Sequence, residues 1–162
     1  MTIGLEIDIQ QTNHLAQIMR IPLVEREARM EPTKVVARYI DGRVIKGFTQ
    51  DFFPNKDSFH LFQAHKGSGE AIQVFVRELK AIFLVRDFKG NPFYEERKLY
   101  MKGEKPSGRI VEVTFVDGEV LVGSTLGYDP KRQGFFVFPA DPKSNNTRIY
   151  AVSSAVKQVR YL

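Results

Sequence analysis

The sequence predicts an all-β protein in which one five-stranded unit occurs twice, at residues 33–87 and 109–162. Three observations lead to this prediction. The chain matches itself after a shift of 76 positions, each unit has an Asp-Gly step between two alternating runs, and thirteen Phe and six Tyr occur without any Trp. Asp-Gly between alternating runs is a strong hairpin signal, and Phe-rich, β-branched segments favour strands.

The internal repeat runs without a gap from Val35–Ala64 to Val111–Ala140. Ten aligned positions are identical: Val35/Val111, Asp41/Asp117, Gly42/Gly118, Val44/Val120, Gly47/Gly123, Thr49/Thr125, Pro54/Pro130, Phe59/Phe135, Phe62/Phe138 and Ala64/Ala140. After a one-residue insertion the match resumes, with Leu79, Lys80 and Ile82 over Val156, Lys157 and Val159. Such self-similarity is typical of repeated structural units. The two segments are therefore expected to share one strand order.

The first strand of each unit ends at the Asp-Gly step. These strands are expected at Lys34–Ile40 and Ile110–Val116. A two-residue type I′ turn needs positive φ at both central residues, which Asp-Gly tolerates well. Counting back from such a turn places Phe115 opposite Val120, and Tyr39 and Val44 correspond to them in the first unit. We expect all four side chains to face the core.

The second strand of each unit carries a glycine, Gly47 or Gly123, at its centre. Glycine inside a strand weakens it but permits the sharp bend that a small barrel needs. The remaining elements follow in order: a turn at 53–56 or 129–132, an apolar third strand at 59–62 or 135–138, a fourth at 72–76 or 148–152, a short helical turn at 77–79 or 153–155, and a last strand at 81–85 or 158–162.

This strand order, with its bend glycine and its turn before the last strand, resembles the SH3-like barrels, a group that includes the Sm-like proteins. It is also similar to bacterial domains of this shape, which carry no established activity. The resemblance covers both units and implies two tandem five-stranded SH3-like barrels. The loops at 127–132 and 145–148 lack the Sm-like RNA-binding pattern, so uridine recognition is not implied. The Arg and Asp-x-Ser-x-x-Gly motifs of PilZ domains are also absent from the sequence.

Two segments lie outside the units. Residues 1–32 form an N-terminal flank, in which Ile3, Leu5, Ile7 and Ile9 alternate like a short strand and the apolar positions within 15–23 keep helical spacing. That apolar stripe is expected either to pack on its own domain or to bind a partner or a second copy. Residues 88–108 form a linker with turn sequences at both ends.

Composition narrows the function classes. No Cys is present, which excludes disulfides, thiolate catalysis and Cys-based zinc sites. The start of the chain has neither a basic leader nor an apolar block, and no run has the length of a membrane helix, so a cytoplasmic protein without membrane contact is expected. The net charge of +5 is unevenly spread, with an acidic excess in residues 1–32 and a mild basic excess in the rest, and it permits weak attraction to polyanions without requiring it.

Catalytic and metal sites are not expected. The three histidines, His14, His60 and His65, are not accompanied by carboxylates at ligand spacing. Asp41 and Asp117 each precede glycine in a hairpin, where a turn role explains them. We therefore expect no catalytic residue, no metal and no cofactor.

Two binding hypotheses remain. The first is a non-enzymatic protein-interaction or scaffolding module that contacts its partner through aromatic residues of the loops and linker: Phe52, Phe53, Tyr128, Phe93 and Tyr94. The alternative is weak, sequence-tolerant nucleic-acid binding by a basic and aromatic surface, whose cations are Arg97, Lys98, Lys102, Lys131, Arg132, Arg148 and Arg160. The linker aromatics would equally serve to hold the two units together. A homodimer is also open, because small sheets leave strand edges available.

Overall fold

Ten strands and two short turns account for the regular structure of the part of the chain that the computed structural model describes, residues 32–63 and 70–162. The strands are β1 (Thr33–Tyr39), β2 (Val44–Thr49), β3 (Ser58–Gln63), β4 (Ile72–Phe75), β5 (Leu79–Val85), β6 (Arg109–Phe115), β7 (Val120–Thr125), β8 (Gly134–Pro139), β9 (Asn146–Val152) and β10 (Val156–Tyr161). Single 3₁₀ turns, Val76–Glu78 and Ser153–Ala155, precede β5 and β10. The prediction of an all-β fold is confirmed.

The strands form one open antiparallel sheet in the order β10-β6-β7-β8-β9-β5-β1-β2-β3-β4. The first half of the sheet, β1 to β5, and the second half, β6 to β10, therefore have the same internal strand order. They are joined where β5 pairs with β9, with Ile82 opposite Tyr150. The hydrogen bonding is continuous across this joint, so the described strands are one sheet. All of it lies in Thr33–Leu162, one of two units into which the chain divides, the other being Met1–Pro32.

The two strands at the joint bury both of their faces. On β5, Ile82 and Leu84 belong to the core cluster of the first half, whereas Phe83 belongs to that of the second. On β9, Tyr150 belongs to the cluster of the first half and Ile149 to that of the second. A strand covered on both sides needs a continuous apolar run rather than an alternating one. The uninterrupted Ala-Ile-Phe-Leu-Val stretch at the end of β5 meets that need.

The predicted core-facing pairs of the two hairpins are wrong by one position. Val120 pairs with Thr114 rather than with Phe115, and Val44 pairs with Arg38. Val44 and Val120 are consequently 48% and 37% exposed, while Tyr39 and Phe115 are buried as expected.

The hairpin turns explain this shift in register. Gly42 and Gly118 have φ angles of 95° and 93°, but Asp41 does not have positive φ. The Gly42 amide donates to the Tyr39 carbonyl at 3.1 Å, and the Tyr39 amide donates to the Arg43 carbonyl at 2.9 Å. This is a type I turn followed by a glycine bulge, which inserts a third residue into the loop and displaces the partner strand by one residue.

The fourth strands also differ from expectation. β4 pairs with β3 so that Phe59 faces Val74, and β9 pairs with β8 so that Phe135 faces Ala151. Val74 therefore corresponds to Ala151, which is 77 positions later, and the extra residue lies in the loop before the fourth strand. From β4 onward, residues of the first half therefore correspond to residues 77 positions later in the second half.

The linker at 88–108 contains no strand or helix and packs on the sheet. The Phe88 ring meets the Phe48 ring edge-on at 5.3 Å, and Lys46 donates to the Phe88 carbonyl at 3.0 Å. The predicted strand and helix within residues 1–31 and the loop at 64–69 lie outside the described residues. In the part that is described, no helix has the length and apolar character required to cross a membrane.

Candidate functional site

A cavity of about 530 Å³ opens on the second half of the sheet, beside the β2–β3 loop. Its walls come from the β7–β8 loop, β8 and β9. The lining residues include Leu126, Gly127, Tyr128, Arg132, Phe136, Phe138 and Arg148. The cavity thus combines aromatic rings with two guanidinium groups.

The aromatic wall follows from the alternation of β8. Phe135 and Val137 point into the core of the second half, so Phe136 and Phe138 lie on the opposite face and are half-buried, with Phe136 packed against the core cluster of the first half. The Phe136 ring packs edge-on against Tyr150, with centroids 5.1 Å apart. Tyr128, from the loop, packs against Phe135 at 4.7 Å. These contacts hold the rings in place, and Leu126 adds an apolar side chain that is 77% exposed.

Positive charge lies at the rim of the cavity. The Arg148 guanidinium stacks over the Phe136 ring at 4.7 Å, and Arg132 is exposed on the opposite loop. The only acidic lining residue within the described chain is Asp129, whose carboxylate accepts a hydrogen bond from the Lys131 amide at 2.9 Å. That bond belongs to the loop turn, which the Arg132 amide closes by donating to the Asp129 carbonyl at 3.1 Å. The rim can therefore attract a carboxylate or a phosphate.

The β2–β3 loop of the first half is attached to the second half beside this cavity. Gln133 donates through its side-chain amide to the carbonyls of Pro54 and Lys56, at 2.7 and 2.6 Å. Phe52 inserts its ring between Phe59 and Tyr150, 5.2 Å from each. The loop is thus part of the joint between the halves.

The aromatic residues predicted to bind a partner occupy different environments. Phe52 is half-buried in the joint, and Phe53 is half-buried with the Lys56 ammonium 4.6 Å above its ring. Tyr128 lines the cavity. On the linker, Phe93 is 93% exposed and Tyr94 is 41% exposed. Only Tyr128 among the five lies in the cavity.

The predicted cations are likewise spread over the surface. Arg132 and Arg148 meet at the cavity. Arg97 is engaged by Glu104, and Arg160 pairs with Glu112 at 2.9 Å. The others are exposed on the linker and on the β7–β8 loop: Lys98, Lys102 and Lys131.

The linker is tied to the second half at Asp141, a carboxylate that is only 5% exposed. It accepts hydrogen bonds from the Arg97 amide at 3.0 Å, from the Tyr94 hydroxyl and from the Lys143 amide at 2.9 Å. These bonds favour the ionised form and lower the pKa of Asp141 to about 2, with the Arg97 amide as the largest cause. The same contact raises the pKa of the Tyr94 hydroxyl.

The attachment of the linker is therefore expected to weaken in acid. Because the pKa of Asp141 is lowered on folding from about 3.9, its contribution to stability is present above that pH and is lost as the pH falls toward about 2. Urea unfolding of the protein and of an Asp141→Asn variant, compared from pH 6 downward, tests this. The gap between their midpoints should close between about pH 4 and pH 2. A gap that stays constant over this range would contradict the assignment.

Several cavity residues were not predicted from the sequence. The sequence indicates only a strand position for Phe136 and Phe138 and only a loop position for Gly127. A comparison of the two aligned segments could have indicated the site, because the residue types differ there: Gly127 aligns with Asp51, and Phe136 aligns with His60. No group of three His, Asp or Glu side chains that could hold a metal occurs in residues 32–63 and 70–162.

The model of a family of unknown function (DUF6982) matches residues 31–162. No curated protein and no solved structure matches the chain. The family match covers the whole ten-stranded sheet together with its linker. The chain therefore belongs to this family of unknown function, DUF6982.

Proposed function

We propose that the protein is a non-enzymatic interaction module that binds an extended segment of a partner protein in the cavity of the second half. The observation that carries the proposal is the cavity itself, with its half-buried aromatic wall and its two arginines. Binding sites for extended chains commonly combine apolar pockets for side chains with a few charged groups that set orientation.

We further propose that the two halves are copies of one unit that has the strand order of an SH3-like barrel. The shared strand order, the aligned bend glycines and the 3₁₀ turn before the last strand of each half support this. On this view the copies have diverged where they serve different roles. Their identical residues mainly serve folding, and their differences point to function.

The cavity lies where the two copies differ. In the first copy the Asp51 carboxylate accepts hydrogen bonds from the His60 amide at 2.8 Å and from its ring at 2.6 Å. Burial raises the pKa of Asp51, but these bonds outweigh it and lower the pKa overall. The pair occupies the positions that Gly127 and Phe136 hold in the second copy. There, the missing side chain at Gly127 leaves open space, since a Cβ would meet no atom within 4 Å.

The partner segment is expected to carry an apolar or aromatic side chain next to an acidic one. The apolar or aromatic side chain would pack against Phe138, which is half-buried, and Leu126, which is exposed. The carboxylate of the acidic side chain would pair with Arg148, which is already oriented by stacking on Phe136. Arg forms such charge-assisted pairs with fixed geometry and is enriched in interface anchors. Ala71 takes the place of Arg148 in the first copy, so this pairing is specific to the second.

Selection of peptides from a random displayed library, followed by titration of the enriched peptides, tests the proposal. We expect enrichment of acidic peptides that contain an aromatic residue. Arg148→Ala should weaken their binding about tenfold, which corresponds to about 1.4 kcal/mol. Gly127→Asp should weaken peptide binding at least as much, because its carboxylate would occupy the open space of the cavity without disturbing the fold.

Lys98→Ala serves as the matched control, because it removes an exposed cation of the linker outside the cavity. Its binding should equal that of the unmodified protein. Selection that yields the same peptides on the Gly127→Asp protein would contradict the proposed site.

The second candidate is single-stranded nucleic acid in the same cavity. The observation that favours it is the stack of Arg148 on Phe136 beside Tyr128, since bases stack on aromatic rings near cations. Exposed Lys98 and Lys102 would then add phosphate contacts. Titration with a single-stranded oligonucleotide decides between the two: binding that exceeds that of every selected peptide and falls steeply with salt favours nucleic acid.

A further inference from the structure

The outer edge of β10 is open in the described part of the chain. β10 pairs with β6 on one side, and no described strand pairs with its other side. The corresponding strand of the first half, β5, pairs with both β1 and β9. A strand of this type and position therefore accepts a second antiparallel neighbour within this same molecule.

The peptide groups available at this edge follow from the alternation of the ladder. The Leu162 amide donates to the Ile110 carbonyl at 3.0 Å, and Arg160 faces Glu112 in the same register. In an antiparallel pair the peptide groups of alternate residues point to opposite sides. The groups of Val159 and Tyr161 consequently point to the open side, where they can bond to an added strand.

The existing joint shows which charges a lysine at this position attracts, although β9 itself carries no acidic side chain and the carboxylates come from a neighbouring hairpin. At the β5–β9 joint, the Lys80 ammonium is met by two carboxylates from the β6–β7 hairpin, Asp117 at 2.7 Å and Glu119. Lys157 holds the corresponding position on β10, is exposed, and has no ion pair with any described residue. Arg109, which stacks over Tyr161 at 3.9 Å, adds a second cation near this edge, whereas Arg160 is paired with Glu112 at 2.9 Å.

We propose that the β10 edge binds an extended acidic segment of another protein as an added antiparallel strand. Main-chain hydrogen bonds from Val159 and Tyr161 would supply affinity, and acidic side chains facing Lys157 would supply selectivity. This surface is distinct from the cavity residues, so the proposal stands independently of the proposed function.

A second copy of this chain matches the edge less well. Arg160 replaces the buried Phe83 of the existing joint, and placing a guanidinium against an apolar core is costly without a partner. The hairpin that a second copy would bring to Lys157 carries Asp41 and Arg43 in place of the two carboxylates. One of the two attractive charges is thus reversed.

The test uses an eight-residue peptide of alternating valine and glutamate with blocked ends, and a matched peptide with lysine in place of glutamate. Binding is followed by two-dimensional NMR and amide hydrogen exchange on the full chain. We expect the glutamate peptide to shift the β10 amides and to slow exchange at Val159 and Tyr161. The lysine peptide should leave both unchanged.

Three variants separate the contribution of backbone pairing from that of charge. Tyr161→Pro removes an outward-facing amide without removing a bond to β6, and should weaken binding at least tenfold relative to Tyr161→Ala, which loses the same ring. Lys157→Glu should weaken binding of the glutamate peptide and strengthen that of the lysine peptide.

Four results would overturn the proposal. The first is the absence of any shift at millimolar peptide, and the second is equal binding of both peptides. The third is protection of β10 that rises with protein concentration alone, which would assign the edge to a second copy. Shifts confined to the surroundings of Phe136 would also overturn it, while supporting the cavity as the peptide site.

Discussion

Replacement of Gly123 by alanine is expected to lower the free energy of unfolding by about 3 kcal/mol, near the upper end for overpacked sites. A Cβ at this position would lie 2.2 Å from the Phe138 carbonyl oxygen and 2.7 Å from a methyl carbon of Val137. Both contacts are closer than van der Waals radii permit. The carbonyl belongs to the paired strand β8, so relief requires the two strands to separate at Gly123.

Gly47→Ala should have a comparable effect, because its Cβ would lie 2.2 Å from the Phe62 carbonyl oxygen. The matched control is Gly127→Ala, where a Cβ would meet no atom within 4 Å and φ is not positive. That change is expected to alter stability by less than about 1 kcal/mol. Urea unfolding of the three variants checks the prediction. Equal midpoints for Gly123→Ala and Gly127→Ala would show that the close approach has no energetic consequence.

The two strand glycines could be singled out from the sequence because they depend on local features: a glycine at the centre of an otherwise apolar strand, repeated at the aligned position. The close approach of the partner-strand carbonyl to each of them follows from the fold. The register of the hairpins was not predictable. Asp-Gly suits both a two-residue turn and a three-residue turn with a bulge, and one residue of difference moves every side chain of the partner strand to the other face. Val44 and Val120 were assigned to the core for that reason.

The candidate site was less predictable, because it depends on how the two halves join. Nothing in the sequence of β5 or β9 alone states that they pair with each other. Once they do, Phe52 is drawn into the joint against Tyr150, and the loop that looked like an exposed aromatic tip becomes a wall beside the cavity. Arg148 and Tyr128 were identified as candidates, but their association with Phe136 and Phe138 follows from β8 and β9 lying side by side.

Lys80 illustrates the same limit and leads to the last prediction. The sequence aligns it with Lys157, and nothing distinguishes the two residues until the joint is formed. In the folded chain the Lys80 side chain is 9% exposed, lies 4.9 Å above the Phe115 ring and bonds to Asp117 and Glu119. The hydrogen bond from Lys80 is the largest cause that lowers the pKa of Asp117. A lysine of the first half is thus neutralised by carboxylates of the second.

The double change Asp117→Asn with Glu119→Gln is expected to lower the free energy of unfolding by about 2–3 kcal/mol, because it leaves the Lys80 ammonium buried without a counter-charge. Addition of Lys80→Met to these two changes should restore most of the loss, since it removes the unpaired charge and keeps the apolar contact with Phe115. Asp41→Asn is the matched control: its carboxylate pairs with Arg43 at 2.8 Å, but both side chains are more than half exposed, so we expect an unfolding midpoint close to that of the unmodified protein. Urea unfolding of all four proteins at pH 7 provides the measurement. If the triple variant were as unstable as the double, the hairpin carboxylates would stabilise the joint through their own local bonds, and neutralisation of Lys80 would not be their role.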